Sequence, residues 1–306
     1  MTPKKHIAVV GAANVDIMAT PKVKYVPCDS RPGRIDIAYG GVGRNIAHNL
    51  TLMGCRTSLV TVFGDDIFAA GLKDNCREIG IDTTWATTVA GGCSSIFTCI
   101  NDEQGEMMSA VSAMDILDGI TPELLRPHID SLNACDAVAM DANLPTETIA
   151  YLLQNCSAPL FADTVSATKS RRLFDALDGT HRLHTLKMNR IEAQTLTDLA
   201  LGDIPSLESA ARLLHALGVE RVCITLGAQG VYYHDAEGGR LVPCEQVPVV
   251  STTGAGDAFV AGLVLAFVNG LDTTQTIQCA QRASALAVQS ASAVNPQINE
   301  HYVLNN

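Results

Sequence analysis

The residues of this chain best suited to chemistry lie between Ser251 and Asp257, in a glycine-rich segment directly before a long apolar run. Small residues at 254–256 let a ligand approach the main chain closely, and the apolar run predicts a buried helix. The first turn of such a helix has free N–H groups and a positive dipole end, which bind anions. Because a carboxylate would repel a bound anion, Asp257 is better explained as a base that acts on a neutral hydroxyl beside it. The alternative is a helix start that Asp257 merely caps.

Two further polar residues, Asn14 and Asp16, follow the first predicted strand. Residues 6–11 form an apolar run that ends in glycine, which is typical of a buried parallel strand. Ligands bind beyond the carboxyl ends of strands in open α/β sheets, so these side chains are candidates for holding a polar ligand. Asn and Asp in this position also form ordinary turns.

A third pair, Asn189 and Glu192, is three residues apart, so both face the same side of a helix that begins at residue 189. A carboxylate and an amide near phosphates suit Mg²⁺, which prefers oxygen ligands and keeps most of its waters. An Asn N-cap with a Glu at the third helical position fits the same spacing. The local sequence leaves both interpretations open.

Strands and helices alternate from Thr121 to the end of the chain, which predicts an α/β fold. Several predicted strands end in polar residues. These residues are Asp141, Asn143, Asp163, Asn189, Glu192, Thr225 and Gly227. A ligand crevice at the carboxyl ends of the strands explains this arrangement, whereas a purely structural sheet has no need of it.

Two segments interrupt the α/β pattern with short extended pieces. Residues 15–37 are broken by prolines and a glycine, and residues 93–116 indicate a β-hairpin with a polar loop. We predict that the two segments form a small sheet that stands off the main body as a lid or a dimer surface. The main body then comprises residues 1–14, 38–92 and 117–306 as one large domain.

A second glycine-rich segment, from Gly40 to Gly43, also opens a predicted helix. Its spacing is not G-x-G-x-x-G, and no such motif follows the first strand, which argues against a dinucleotide-binding fold. His48, on the same helix, is better explained as a packed or surface residue than as a ligand.

Composition limits the possible partners. The formal net charge of −11 argues against binding to a nucleic-acid backbone or an anionic membrane surface, since both require a basic face. No apolar stretch approaches ~20 residues and no signal peptide is visible. The ten cysteines show no C-x-x-C pair or metal-ligand spacing. We therefore expect a cytoplasmic protein with reduced thiols.

Two motifs resemble, in their order and their internal spacing, the signatures of the PfkB family of carbohydrate kinases, also called the ribokinase family. The first runs from Gly40 to Gly64 and the second from Ser251 to Val264. The resemblance covers essentially the whole chain and implies a ribokinase-like three-layer α/β/α fold, with a central, mostly parallel sheet and a small β-sheet lid. It also implies ATP-dependent phosphorylation of a hydroxyl group on a nucleoside or a free sugar. A non-catalytic sugar-binding protein on the same fold is a remote alternative.

The resemblance and the positions of the residues imply roles for the site. The catalytic groups would be Asp257 as the base and the main chain of Gly254, Ala255 and Gly256 as the anion hole. The nucleoside or sugar would contact Asn14, Asp16, Ser30, Gly40, Gly41, Asn45, Asn101, Met107 and Asn143. ATP would contact Lys187, Asn189, Thr225, Gly227, Gly230 and Asn295.

The resemblance also implies cofactors and partners. Asn189 and Glu192 would organise Mg²⁺ through water. Many family members bind a monovalent cation, usually K⁺, beside the anion hole, but here Ser251 stands where an aspartate is common, which weakens that expectation. The expected partners are a small-molecule nucleoside, ATP and a second copy of the chain that joins through the β lid to form a homodimer.

Overall fold

The computed structural model describes residues 4–305. Residues 1–3 and 306, which the sequence analysis assigns to the main body, lie outside the described residues.

The elements below are numbered in chain order. The strands are β1 (His6–Val10), β2 (Asn14–Pro21), β3 (Gly33–Gly40), β4 (Arg56–Val60), β5 (Val62–Phe63), β6 (Thr87–Thr88), β7 (Ile96–Asn101), β8 (Met107–Ala113), β9 (Ala137–Asp141), β10 (Leu160–Asp163), β11 (Leu183–Asn189), β12 (Val219–Thr225), β13 (Val231–Asp235) and β14 (Gly238–Val242). The helices are α1 (Val42–Leu52), α2 (Ile67–Glu78), α3 (Pro122–Leu125), α4 (Ile129–Asn133), α5 (Thr146–Asn155), α6 (Ala167–Ala176), α7 (Arg190–Thr197), α8 (Ile204–Ala216), α9 (Ala255–Val268), α10 (Thr273–Val288) and α11 (Glu300–Asn305).

The main sheet has eight strands in the order β14-β13-β12-β11-β10-β9-β1-β4. The six strands β12, β11, β10, β9, β1 and β4 are parallel to one another. Strands β13 and β14 are antiparallel to their neighbours and form one edge of the sheet. Strands β1 and β9 are almost wholly apolar and buried, because helices cover both faces of a parallel sheet. Strand β14, which the sequence analysis did not predict, is a largely exposed edge strand.

Two apolar cores, one on each face of the sheet, hold the helices in place. Alternate residues of β1 point to opposite faces, so Ile7 and Val9 join one core whereas Ala8 and Val10 join the other. The first core includes residues of α1, α2, α9 and α10, and the second includes residues of α5 to α8. The result is a three-layer α/β/α arrangement, which confirms the expected fold class.

The lid is a separate four-stranded sheet in the order β3-β2-β7-β8. The register places Asp16, Phe97 and Ser112 in one row across the sheet, and residues paired in this way share a face. Ile37 and Val111 belong to the neighbouring row and therefore lie on the opposite face. The lid sheet thus has one face with Asp16 and one face with apolar side chains.

All ten cysteines lie within the described residues and are free. Six of them are buried, where cysteine packs as a small hydrophobic residue, and burial raises the pKa of the Cys223 thiol to about 12. In the part of the chain that the structure describes, no helix has the length and apolar character needed to cross a bilayer.

Candidate active site

Asp257 lies in the first turn of α9, where the helix starts after a tight turn. Gly254 occupies the N-cap position with a φ of 80°, in the left-handed region that favours glycine, and no side-chain hydrogen bond caps the helix. The Asp257 carboxylate instead accepts a hydrogen bond from Asn45 Nδ2 (2.8 Å), and the residue is only 8% exposed. The alternative role of Asp257 as a helix cap is therefore wrong.

The surroundings of Asp257 hold its pKa far above that of an exposed aspartate. Burial, reinforced by the charge of Asp163, raises the pKa of the Asp257 carboxyl to about 7. The hydrogen bond from Asn45 and the Lys187 ammonium oppose this rise, and the Asp141 carboxylate adds to it. A carboxyl whose pKa lies near neutrality can remove a proton from a hydroxyl group at physiological pH, as a general base must.

A buried ion pair lies directly behind the glycine turn. Lys187 Nζ donates to Asp163 Oδ2 (2.9 Å), and both side chains are almost fully buried. A Cβ added at Gly256 would lie 2.5 Å from Lys187 Nζ, so the ammonium group touches the turn. Burial alone would lower the pKa of Lys187, but the carboxylates of Asp163, Glu192 and Asp257 raise it overall. The site therefore carries a fixed positive charge behind the main chain predicted to bind phosphate.

The residues predicted to hold the sugar hydroxyls lie together at the start of the lid. Asn14 Nδ2 donates to Asp16 Oδ1 (2.6 Å), and Gly40 pairs with Asn14 in the β2–β3 register. A Cβ at Gly40 would collide with the Asp16 carboxylate, so only glycine leaves room for it. Gly41 caps α1 with a φ of 98°, and its carbonyl accepts the N–H of Asn45 (2.8 Å).

The residues predicted to contact the base divide between the lid and the core. Ser30 is exposed between β2 and β3, Met107 is exposed at the start of β8, and Asn101 is half-buried at the end of β7. Asn143 is buried in the core, where its N–H donates to Asp141 Oδ1 (2.8 Å). Three of the four are therefore carried by the lid.

The residues predicted to contact ATP lie near the end of β11, at the end of β12, between β12 and β13, and after α10. Thr225 ends β12, and Gly227 is exposed with a φ of 60°. Gly230 has a φ of 98°, and a Cβ there would collide with the Val242 carbonyl. Asn295 is buried and its Nδ2 donates to Leu286 O (2.7 Å). The side chain of Asn295 thus stabilises its own loop, and its proximity to adenine stays a prediction.

Asn189 and Glu192 form a complete capping box at the start of α7. Asn189 Oδ1 accepts from Glu192 N–H (2.9 Å), and Glu192 Oε2 accepts from Asn189 N–H (2.7 Å). Asn189 Nδ2 and Thr164 Oγ1 also donate to the Glu192 carboxylate, at 2.7 and 2.6 Å. Among residues 4–305 no cluster of three or more His, Cys, Asp or Glu could ligate a metal directly. Asn189 and Glu192 fit an Mg²⁺ ion that is bound through water molecules. The Glu192 carboxylate accepts three hydrogen bonds and retains acceptor capacity for a water molecule.

Ser251 lies where the family resemblance places an aspartate beside K⁺. Its Oγ accepts a hydrogen bond from Thr253 N–H (3.2 Å). The chain thus presents a neutral hydroxyl at this point, and K⁺ binding stays a prediction.

Two acidic residues of the site, Asp141 and Asp163, received no role from the sequence. They are register neighbours at the ends of β9 and β10, and Asp163 is in turn the neighbour of Lys187 on β11. Asp141 Oδ2 accepts the N–H of Ala12 (2.8 Å), which fixes the main chain after β1. Their positions at strand ends were visible in the sequence, but their pairing depends on the register between strands.

A buried carboxyl with a raised pKa beside a glycine-led helix start, at the carboxyl ends of parallel strands, is the arrangement expected of an enzyme that transfers a phosphoryl group to a hydroxyl. The sequence pattern described as "pfkB family carbohydrate kinase" matches residues 4–300. The chain belongs to this family of kinases.

Individual relatives are similar over nearly their full length. The chain is 33% identical to the pseudouridine kinase of Escherichia coli (strain K12) over 302 residues, which cover 98% of this chain and 95% of that one. Among solved structures, a carbohydrate kinase from Agrobacterium tumefaciens superimposes with a TM-score of 0.85 at 27% identity, over 98% of this chain and 95% of that one. Ribokinase from Arabidopsis thaliana, complexed with ribose and ATP, has a TM-score of 0.86 at 21% identity, over 99% and 98%. The protein is therefore a phosphotransferase of the ribokinase-like fold, and its family implies ATP as co-substrate.

Replacement of Gly254 by alanine should disturb the glycine turn. A Cβ at Gly254 would collide with the carbonyl of Ala293, whereas a Cβ at Gly270, which has a similar φ of 72°, has no atom within 4 Å. Gly270→Ala is thus a matched control, because it introduces only backbone strain. That strain should lower the free energy of unfolding by about 1–2 kcal/mol. We expect Gly254→Ala to lose more stability and at least about 10-fold in kcat, because small displacements of catalytic groups are costly. Denaturant unfolding and steady-state kinetics measure both, and equal kcat values for the two variants would contradict a role for the turn.

Proposed function

We propose that this protein transfers the γ-phosphoryl group of ATP to the 5′-hydroxyl of pseudouridine. The observation that carries the reaction class is the buried Asp257 at the start of α9, with a pKa near neutrality and a fixed ammonium behind the turn. The substrate is supported by the full-length similarity to the pseudouridine kinase of Escherichia coli. Segments that resemble that enzyme's subgroup are 30–34, 40–47, 105–107, 163–166 and 184–187.

In this account Asp257 accepts the proton of the 5′-hydroxyl while the oxygen attacks the γ-phosphorus. The bond between phosphorus and the bridging oxygen of ADP breaks as the new P–O bond forms, and negative charge spreads over the transferred oxygens. The N–H groups of Gly254 and Gly256 would meet that charge, together with that of Ala255, which in the structure donates to Thr252 O (3.3 Å). The Lys187 ammonium behind them adds a positive potential. Asn189 and Glu192 would hold Mg²⁺ through water, and the ion, when bound, neutralises charge on the phosphates.

Substrate position depends on the row of residues that crosses the lid. Asp16 would accept hydrogen bonds from sugar hydroxyls, and Phe97 and Ser112 continue the same row on the same face. The lid residues Ser30, Asn101 and Met107 would contact the base. Closure of the lid over the sugar would exclude water and limit hydrolysis of ATP.

A second candidate, phosphorylation of another nucleoside or of a free sugar such as ribose, is favoured by one departure from the subgroup pattern. At the end of the lid hairpin that pattern has Asn-Asp-Met, whereas this chain has Ser112-Ala113-Met114, of which Ser112 and Ala113 end β8. Ser112 shares the face of Asp16, and Ala113 points to the opposite face, so only the first change can alter contacts with a base. The shorter hydroxyl of Ser112 would read a base less strictly than an amide.

ADP release over a panel of pseudouridine, uridine, adenosine, ribose and fructose 6-phosphate separates these candidates. We expect kcat/KM for pseudouridine to exceed that for uridine by at least about 10-fold, since the two differ in base groups that a polar site can read. Equal values for pseudouridine and uridine would overturn the assignment of the base. A higher value for ribose would favour the second candidate.

We also propose that the apolar face of the lid is covered by a second copy of the chain. Ile35, Ile37 and Val111 are 68%, 59% and 67% exposed on the lid strands, and Ile37 and Val111 lie on the face opposite Asp16. Large exposed apolar patches mark interaction sites, and the face is continuous with the sheet that would close on the substrate. Sedimentation velocity should give a dimer at micromolar concentration and a monomer for Ile37→Lys, because a buried ammonium opposes association. A wild-type monomer at that concentration would contradict the dimer.

A further inference from the structure

Arg44, in the first turn of α1, is a buried cation whose hydrogen-bond partners are three oxygen atoms and, more distantly, His48 Nδ1 (3.4 Å). Its Nη1 donates to Tyr39 O (2.9 Å) and to Asn45 Oδ1 (3.0 Å), and its Nη2 donates to Asn75 Oδ1 (2.7 Å). The residue is only 4% exposed, and burial lowers its pKa. Burying a charge is costly unless it is paired or hydrogen-bonded, and here the hydrogen bonds of Arg44 to neutral groups offset that cost.

The hydrogen bonds of Asn45 define the task of Arg44. Its Nδ2 donates to Asp257 Oδ2 (2.8 Å) while its Oδ1 faces Arg44. A guanidinium can only donate hydrogen bonds, so the oxygen of the Asn45 amide must face Arg44 and the NH₂ group must face Asp257. An amide held in this orientation stabilises the ionised form of Asp257, which is the form that can accept a proton.

We propose that Arg44 is a positioning residue that holds the Asn45 amide in the orientation in which it donates to Asp257. The inference rests on the proposed role of Asp257 as the base. Without the guanidinium, the amide could rotate and present its oxygen to a protonated Asp257. The base would then lose a proton less readily, and the enzyme would require a higher pH.

The other contacts of Arg44 connect this device to the lid. Tyr39 is the penultimate residue of β3, and Asn75 lies on α2, so the guanidinium joins a lid strand to two helices of the core. The charged and titratable groups that face Arg44 are Asp16, His48 and Cys76. The position of the lid strand and the orientation of the Asn45 amide therefore depend on the same side chain.

The charge of Arg44 is not among the largest influences on the pKa of Asp257. The groups that set the pKa of Asp257, apart from burial, are Asp163, Asn45, Lys187 and Asp141. The Asn45 amide contacts both Arg44 and Asp257, so variants of Arg44 in an Asn45→Ala background separate positioning from long-range electrostatics.

The test is the pH dependence of kcat. Because the ionised base is the active form, wild-type kcat should rise with pH through an apparent pKa of about 7 and then level off. Arg44→Met and Arg44→Gln, which remove the donor-only group, should shift this rising limb of the pH profile upward by about one pH unit. Below pH 6 kcat should then be about 10-fold lower than in the wild type, whereas the plateau at high pH should be retained. Arg44→Lys, which again can only donate, should return the limb toward the wild-type position.

Two controls make the result specific. Thr51→Ala removes the side-chain hydrogen bonds to Ala47 O (2.8 Å), later on α1, and to Thr57 Oγ1 on β4. It thus weakens the same helix without touching the Asn45 amide and should leave the limb in place. In an Asn45→Ala background, Arg44→Gln should produce no further shift. If Arg44→Met does not fold, as judged by its thermal transition, the Gln and Lys variants carry the comparison.

Each outcome has one meaning. An unshifted limb in Arg44→Gln, a lower plateau without a shift, or a further shift in the Asn45→Ala background would overturn the positioning role while leaving the base in place. A wild-type profile with no limb near pH 7 would instead count against Asp257 as the base, and so against the proposed function itself.

Discussion

The hydrogen bond between Asn45 and Asp257 joins two motifs that are 212 residues apart in the chain. One motif begins α1 beside the lid, and the other begins α9 beside the ends of the central strands. Both helices start after a glycine with positive φ, Gly41 at 98° and Gly254 at 80°. Each start allows a close approach of a ligand or a side chain, so the proposed sugar site and the proposed phosphate site meet at a single carboxylate.

The parallel strands supply the charges that surround this carboxylate. Asp141, Asp163 and Lys187 stand in one row near the ends of β9, β10 and β11, and Asp163 and Lys187 lie beside Gly256 of the glycine turn. The two aspartates raise the pKa of Asp257, whereas the ammonium lowers it. Burial contributes most, so the pKa of the Asp257 carboxyl is set mainly by exclusion of water and then adjusted by these neighbouring groups. A ligand that enters this site meets groups already held by the sheet, which limits the reorganisation needed for catalysis.

Much of this could be predicted from the sequence, because local signals were strong. The glycine turn before an apolar run located Asp257, and the interruption of the α/β pattern located the lid strands. What the sequence could not provide was pairing between strands. Asp163 and Lys187 are 24 residues apart and become an ion pair only through the register of β10 and β11. Arg44 was visible within a motif, but its role depends on contacts with Tyr39 and Asn75, which lie on other elements.

Asn189 and Glu192 show a different limit of prediction from the sequence. The spacing fitted a capping box and a metal site equally, and the structure contains the capping box. The same hydrogen bonds leave a carboxylate oriented and partly free to hold water, so the two interpretations are compatible. Strand β14 was missed because a short exposed strand, rich in glycine, lacks the apolar alternation on which strand prediction relies.

The most direct measurement compares turnover and binding in Asp257→Asn. The amide keeps the size and hydrogen bonding of the side chain but cannot accept the hydroxyl proton, so kcat should fall by about 100-fold or more. The Kd of the nucleoside, measured by calorimetry without ATP, should stay within about 3-fold of the wild-type value. A variant that binds the nucleoside and retains near-normal kcat would show that Asp257 is not the base and would contradict the account.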